Sequence, residues 1–514
     1  MSFPSWRMGT GFRWGHGAPR PSSSGASWGP DLRLRIAQHC FAEIASFQEG
    51  DSMASRLVLV FGVSALAWGV LSPSMLAEED TPELLRQTPL RLELQRPIDR
   101  RLKLIEERGI EGSGLFRGKI HVVRDAAEVN ALSGRLKPGD QLVLAGSDWK
   151  NARFTFAGIG TPEAPILIRP QVPGQVVLSG KAEVAFEGAH LVIAGLVFRH
   201  VTVDRPGTVV MRLGTSQRRP ANQCILHDIR MEDCNSPDPD DQRKLRMWYL
   251  TIRGRDNTVA NSIFADMKNY GQMLAAQELP ANGLLRLHVL NNRFVRRPYV
   301  DNQNGYEVIQ IGWSGEKAKS AASLIQGNYF ENCDGENELI TLKASDIVVR
   351  QNNFVGCQGV VSVRAGNRVL VEGNVFDGRD RPNTGGVRLQ GSGHVIIDNV
   401  FRHLRKPKNY YSWTISLMAA SCENYGDGGD VAGYGRAKDI LIARNLFDSC
   451  DSSIALGIYP RPKYPLLPRR IRVIDNVFRS KKLLTSPFDY VAPDPTGELK
   501  ATLVESNNRF EVIR

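Results

Sequence analysis

The sequence predicts an all-β protein, a parallel β-helix of stacked coils, and three observations predict it. The tripeptide Asn-x-Phe recurs at Asn292–Phe294, Asn328–Phe330, Asn352–Phe354, Asn374–Phe376, Asn399–Phe401, Asn445–Phe447, Asn476–Phe478 and Asn508–Phe510. The spacings run 36, 24, 22, 25, 46, 31 and 32, so the shortest give the coil and the longer ones a coil plus a loop. Alternating apolar stretches such as SDIVVRQNNF, NRVLVEGNVF and KDILIARNLF lead into the copies, the period of a strand with one face turned inward. Glycine is frequent, 48 residues, as many short strands separated by turns require.

Each part of the repeat has a physical reading. Coils stacked at strand spacing bring equivalent positions into ladders, so Phe at one register stacks inside. Asn just before it is expected at a turn, where it tolerates left-handed backbone and its side chain bonds neighbouring peptide groups. Cys234, Cys333, Cys357 and Cys450 each follow the ladder position by three residues, which predicts a buried row of free thiols in preference to disulfides. Leucine-rich repeats lack this register, and propeller blades are longer and more even.

Along the chain, residues 1–52 read as a doubtful leader, either disordered or upstream of a true start at Met53. Residues 53–77 read as a signal peptide: Arg56, then the apolar run Leu57–Leu71, then Ser72, Pro73 and Ala77. The alternative is a disordered extension followed by a signal anchor. A secreted or periplasmic location follows, with no stable membrane partner. Residues 78–118, rich in Leu, Arg and Glu, form a lead-in. The β-helix occupies 119–514, starting near Ile120 with a strand and a short helix that caps the open end. The segment after Phe478 is a loop before a last coil at Val504–Val512. A monomer is expected.

The composition narrows the partner. The net charge is +11, and 23% of residues are charged, a surplus that favours polyanions. No lysine run or basic helix points to nucleic acid. No Cys/His spacing points to zinc.

The densest polar grouping lies in the middle coils: Asn304-Gly-Tyr-Glu307, Asp334-Gly-Glu336-Asn-Glu338, Lys343, Arg364 and Arg388. Lys343 and Arg364 are 21 residues apart and Arg364 and Arg388 are 24 apart, each one short coil. The patterns T-L-K-A-S, S-V-R-A-G and G-V-R-L-Q therefore superpose, and three cations are expected to stack on one outer face. Stacked like charges repel, which favours an anionic ligand there. Glu336 and Glu338 point the same way in a strand, and with Asn304 they offer oxygen donors suited to a hard cation such as Ca²⁺. A surface network in which the two Glu neutralise Lys343 and Arg364 is the alternative on the same residues. His394, in GSGHVII, could line the groove or serve a turn. Tyr410, Tyr411 and Trp413, in the insertion before Asn445, could stack on sugars or pack within the loop.

At these residues the sequence resembles polysaccharide lyase family 6, the family of alginate lyases and chondroitinase B. The resemblance runs from about Ile120 to Phe401 through PGDQLVL, GTPEAPILIRP, NGYEVIQIG, NYFENCDGENELITLKAS, VSVRAGN, VEGNVFDG and NTGGVRLQG. It implies a right-handed parallel β-helix and cleavage of a uronate-containing acidic polysaccharide, alginate first and dermatan-type chondroitin second, by Ca²⁺-assisted β-elimination. It implies Lys343 as general base and Arg364 as general acid. It further implies Asn304, Glu336 and Glu338 as Ca²⁺ ligands, and Arg388 on the substrate. Many members have His after the catalytic Arg, where this chain has Ala365. A hydrolase on the same fold would need clustered Asp residues; Asn383-Thr384 is followed by Gly385, and PDPDD at 237–241 reads as a loop. A glycan-binding β-helix without activity fits the repeat but leaves the Asn/Glu/Glu/Lys/Arg set unused.

Overall fold

The computed structural model describes residues 81–513 apart from 147, 282–283, 301–303, 317–318, 406–412, 426–432 and 483. The leader and the signal segment lie outside the described residues.

One coil shows how the sequence makes the fold. Val348–Arg350, Asn353–Val355 and Val360–Val363 are three short strands, one in each of three sheets. Each pairs in parallel with its counterpart one coil on: Val349 with Val371, Phe354 with Phe376, Val361 with Val387. Repetition gives parallel sheets of 14, 13 and 13 strands among the described residues. Parallel strands joined by same-sense crossovers wind right-handed, and the protein is a right-handed parallel β-helix.

The repeat builds two inner ladders. Phenylalanines from Phe264 to Phe510 stack ring on ring, with centroids 4.5–5.3 Å apart and planes within 22°. Beside them runs a ladder of amides. Asn374 donates Nδ2–H to Val349 O (3.0 Å) and to Asn399 Oδ1 (2.9 Å). Its own Oδ1 accepts from the backbone N–H and the Nδ2–H of Asn352, both at 2.9 Å. The same pattern joins Asn292 through to Asn508. This corrects the expectation for Asn. The ladder residue is buried, and the left-handed backbone belongs to the residue before it: Asn291, Gln351, Asp398, Arg444 and Asp475 have φ of 54, 55, 56, 51 and 57°. An amide both donates and accepts, so it can satisfy itself coil after coil where a turn residue could not.

The ends also follow from the sequence. Ile120–Val123 is the first strand and Ala126–Leu132 the capping helix. Asp125 accepts from Glu128 N–H while Glu128 accepts from Arg124 N–H, at 2.8 and 2.7 Å, a reciprocal cap, and Val129 plugs the core. The lead-in is two helices, Thr81–Arg86 and Arg100–Gly112. Leu102, Ile105 and Leu115 pack on the outer face of the first sheet against Leu167, Val192 and Ile225, and Arg96 donates to the carbonyls of Arg286 and Asn257. Before the final coil, the expected loop holds a strand, Phe488–Tyr490, and a turn of helix, Glu498–Ala501. The six described cysteines are free. Among the described residues no helix is long and apolar enough to cross a membrane.

Candidate active site

The polar grouping gathers on the outer face of the third sheet. Leu342, Val363 and Leu389 point into the core, so their neighbours in each strand point out. Thr341, Ser362 and Arg388 are register partners, as are Leu342, Val363 and Leu389. Lys343 and Arg364, one residue further on, therefore share a row, and Gln390 continues it. This corrects the expected stack of three cations. Arg388 shares the outer face but sits two residues back, below Ser362, so only two of the cations are stacked.

Three carboxylates stand beside these cations. Glu307, Glu336 and Glu338 are buried, with ligand oxygens all within 4.8 Å of one another. Glu336 accepts the backbone N–H groups of Gly305 and Tyr306, the latter at 2.9 Å. Asn304 is exposed and immediately precedes this grip, at the rim of the cluster. The loop is pinned from below by Arg297, fully buried, which donates to Tyr306 O, Met267 O and Gly271 O. Gly335 must be glycine, since a Cβ there would lie 2.5 Å from Tyr306 O. Gln272 donates to Glu307 Oε2 at 2.7 Å.

The two Glu of GENE differ electrostatically. Glu338 accepts from Arg388 Nη1 (2.6 Å), Arg364 Nη1 (3.3 Å) and Thr341 Oγ1 (2.9 Å). Burial alone would raise its pKa, but Arg364, Arg388 and Lys343 outweigh that and hold it at about 2. Glu336 has no such cation. Burial, then repulsion from Glu307 and Glu338, pushes it up to about 9. A buried acidic cluster that resists full ionisation is what a divalent cation relieves. The all-oxygen donor set fits a hard ion, and the Oε1 of Gln272 is a further buried oxygen with no partner among the described residues.

Lys343 is half-buried, and its Nζ has no hydrogen bond or ion pair among the described residues. Arg364 is the opposite. Glu338 above all keeps it charged, well above the usual arginine range. Its Nη2 donates to Tyr434 Oη at 2.9 Å, and its guanidinium lies 5.5 Å from that ring's centre.

Two residues expected on the substrate lie deep. Arg388 is only 4% exposed and donates Nη1 to Glu338. His394 is fully buried; its ring meets Gln390 O at 3.1 Å and Val369 N at 3.3 Å. It serves the turn, and burial pushes it down to about 4. Trp413 is buried too, while Tyr410 and Tyr411 lie outside the described residues. Sequence reasoning did not place Glu307 with Glu336 and Glu338 in one carboxylate cluster, although it stood in NGYE one coil before them. It also missed Tyr434, whose place in an insertion carries no periodic signal.

Known proteins agree with this architecture. The chondroitinase B family profile matches residues 123–464. A mannuronic acid specific polysaccharide family 6 lyase from human gut microbiota is 26% identical, with a TM-score of 0.66 over 75% of this chain and 84% of that one. A family 6 polysaccharide lyase from Pseudopedobacter saltans superposes with a TM-score of 0.63 at 22% identity, over 77% and 93% of the two chains. A family 6 alginate lyase in complex with a trisaccharide superposes at 0.53 and 18%, over 77% and 86%. No curated protein matches the sequence. The matched span holds the whole carboxylate cluster together with Lys343 and Arg364, and by that match the chain belongs to the chondroitinase B family, the polysaccharide lyases of family 6.

Proposed function

We propose that the protein cleaves alginate by Ca²⁺-assisted β-elimination, with Lys343 as base and Arg364 as acid, and that it works outside the cytoplasm. The observation that carries this is the juxtaposition of a partnerless lysine, a charge-locked arginine and three buried carboxylates on one face. Elimination needs a base for the C5 proton beside the uronate carboxylate, and a group that takes the charge of the departing O4. In its neutral amine form Lys343 Nζ, which no acceptor holds, can take that proton. Arg364, fixed between Glu338 and Tyr434, faces the leaving oxygen, stabilises its charge and delivers its proton. The C4–O4 bond breaks, a C4=C5 double bond forms, and no water attacks. Asn304, Glu307, Glu336 and Glu338 would hold the cation, which supplies Lewis-acid stabilisation of the uronate carboxylate. Arg388 keeps Glu338 ionised and aimed.

The choice of alginate is supported by the 26% identity to a mannuronic acid specific lyase. The chondroitinase B description of the family makes dermatan sulfate the competing substrate. Export is supported by the segment Met53–Ala77; sequencing the amino terminus of exported protein tests it, and a protein retained uncut in the cytoplasm refutes it. The activity test is ultraviolet absorbance of the unsaturated uronate, with alginate, dermatan sulfate and polygalacturonate offered in calcium and in chelator. A rise on alginate alone, lost in chelator and in Lys343→Ala, is expected. A rise only on dermatan sulfate would move the substrate, and no rise on any would sink the reading.

A further inference from the structure

We propose that Tyr434, Tyr464 and Tyr459, with Arg461 and Lys463, form a run of subsites that holds the polyuronate chain beyond the cleavage point. This run gives the protein its preference for long polymer over short oligomers. The inference rests on the polyuronate reading above and extends it away from the reacting sugar.

The run starts at Arg364. Tyr434 accepts its Nη2–H and lies under its guanidinium. The Tyr434 backbone is fixed, its N–H donating to Ser421 Oγ (2.8 Å) and its carbonyl accepting from Ser421 N (3.0 Å) and Cys422 N (3.2 Å). Next to it is Tyr464, with centroids 5.1 Å apart, and then Tyr459, at 5.9 Å. Tyr459 follows the strand Ile454–Ile458, and a tight antiparallel bridge between Arg461 and Tyr464 brings the chain back beside it. The strands Val360–Val363, Val387–Leu389, Ile415–Met418 and Ile454–Ile458 are successive neighbours in the third sheet. Tyr459 is therefore three coils past the strand that carries Arg364, about 14 Å at ordinary strand spacing. From Tyr434 the row runs along the axis of the solenoid, and its far end at Tyr459, Arg461 and Lys463 lies beyond the sugar being cleaved.

The charges commit the row to an acidic chain. Arg461 stacks on Tyr459, 3.7 Å from the ring centre, and Lys463 Nζ lies 4.9 Å from that of Tyr464. Both cations are exposed, and neither has a carboxylate within ion-pair distance among the described residues. Their neighbours differ. Arg436, Lys438 and Arg469 converge on Glu423, and Arg470 pairs with Asp439. A cation parked on a ring next to neutralised neighbours is placed for an incoming anion. The half-buried rings hold Arg461 and Lys463 in place at the surface, and these cations meet the carboxylates of the chain. A neutral glycan would leave both charges idle.

The test replaces both exposed cations, Arg461→Ala with Lys463→Ala, in the full chain. In a Lys343→Ala background, where nothing is cleaved, calorimetry with alginate should show binding about tenfold weaker, from two surface charge contacts. The gap should narrow in high salt. In the active protein, KM for polymer should rise by about the same factor with kcat unchanged, and the shortest cleavable oligouronide should be unaffected. Unchanged alginate binding, or a KM that rises equally for polymer and shortest oligomer, overturns the run. No binding of alginate by Lys343→Ala overturns it as well. If the parent cleaves no uronate polymer, the cleavage reading fails alone, and calorimetry still decides this one.

Discussion

Replacing Glu336 by Gln probes the cation site through folding stability, with no activity readout needed. In chelator, burial and the two neighbouring carboxylates hold the Glu336 carboxyl at about 9, against an ordinary 4.5. A carboxyl whose pKa is raised on folding contributes full stability below the unfolded value. That contribution drains away as pH rises from 4.5 toward 9, because the unfolded chain gives up its proton first. At pH 7 the loss is 2.5 units, about 3 kcal/mol at 1.36 kcal/mol per unit. Gln mimics the protonated form and can still accept from Gly305 and Tyr306. Glu336→Gln should therefore match the parent near pH 4.5 and exceed it by about 3 kcal/mol at pH 7 in chelator. With calcium the order should narrow or reverse, since only the parent gains the binding term. Urea denaturation at both pH values, with chelator and with calcium, measures all four conditions. A variant no more stable than the parent at pH 7 in chelator, or one that gains as much from calcium, would refute the idea of a strained acidic cluster waiting for a cation.

Other expectations follow from single side chains. Lys343→Ala should lose about 10³-fold in kcat while retaining alginate affinity in calorimetry; equal losses in both would make Lys343 a binding residue. Asn374→Ala strips partners from Val349 O, Asn352 and Asn399 and should cost about 3–5 kcal/mol at the denaturation midpoint. Asn508→Ala, at the end of the ladder and half-buried, should cost clearly less. His394→Ala should lower stability by about 2 kcal/mol yet leave KM for polymer unchanged; a raised KM would restore His394 to the groove.

How much of this was legible in the sequence depended on period. The Phe ladder was, because a side chain that must stack on its own kind recurs at every coil. The Asn of the same motif was legible in position but not in role. Both a turn and an amide ladder demand Asn, and only the left-handed φ at Asn291 and Gln351 tells them apart. Spacing placed Lys343 and Arg364 together correctly, but it misplaced Arg388 by two residues, because equal chain length between coils does not fix register when a loop such as 378–386 intervenes. Glu307 and Tyr434 were hidden for different reasons. Glu307 needed a loop conformation fixed by Arg297, whose bonds to Met267 O, Gly271 O and Tyr306 O follow no repeat spacing. Tyr434 needed an insertion to fold back onto the sheet.

The charges of the site explain why cation and substrate should bind together. Glu307, Glu336 and Glu338 face Lys343, Arg364 and Arg388. Fully ionised, the six groups cancel, and a neutral site has little hold on a polyanion. With Glu336 protonated, as burial favours in the free protein, the balance is one positive charge. A divalent cation held by the three buried carboxylates would displace that proton and leave two positive charges, and charge counts for most among buried groups. Each uronate carboxylate that enters then strengthens the hold on the cation, and by reciprocity the cation strengthens the hold on substrate. Calcium titrated into Lys343→Ala should therefore bind more tightly with saturating alginate than without it, by the same factor that calcium adds to alginate affinity. Equal calcium affinity in both conditions would mean that cation and sugar occupy independent sites, and that the three carboxylates are structural.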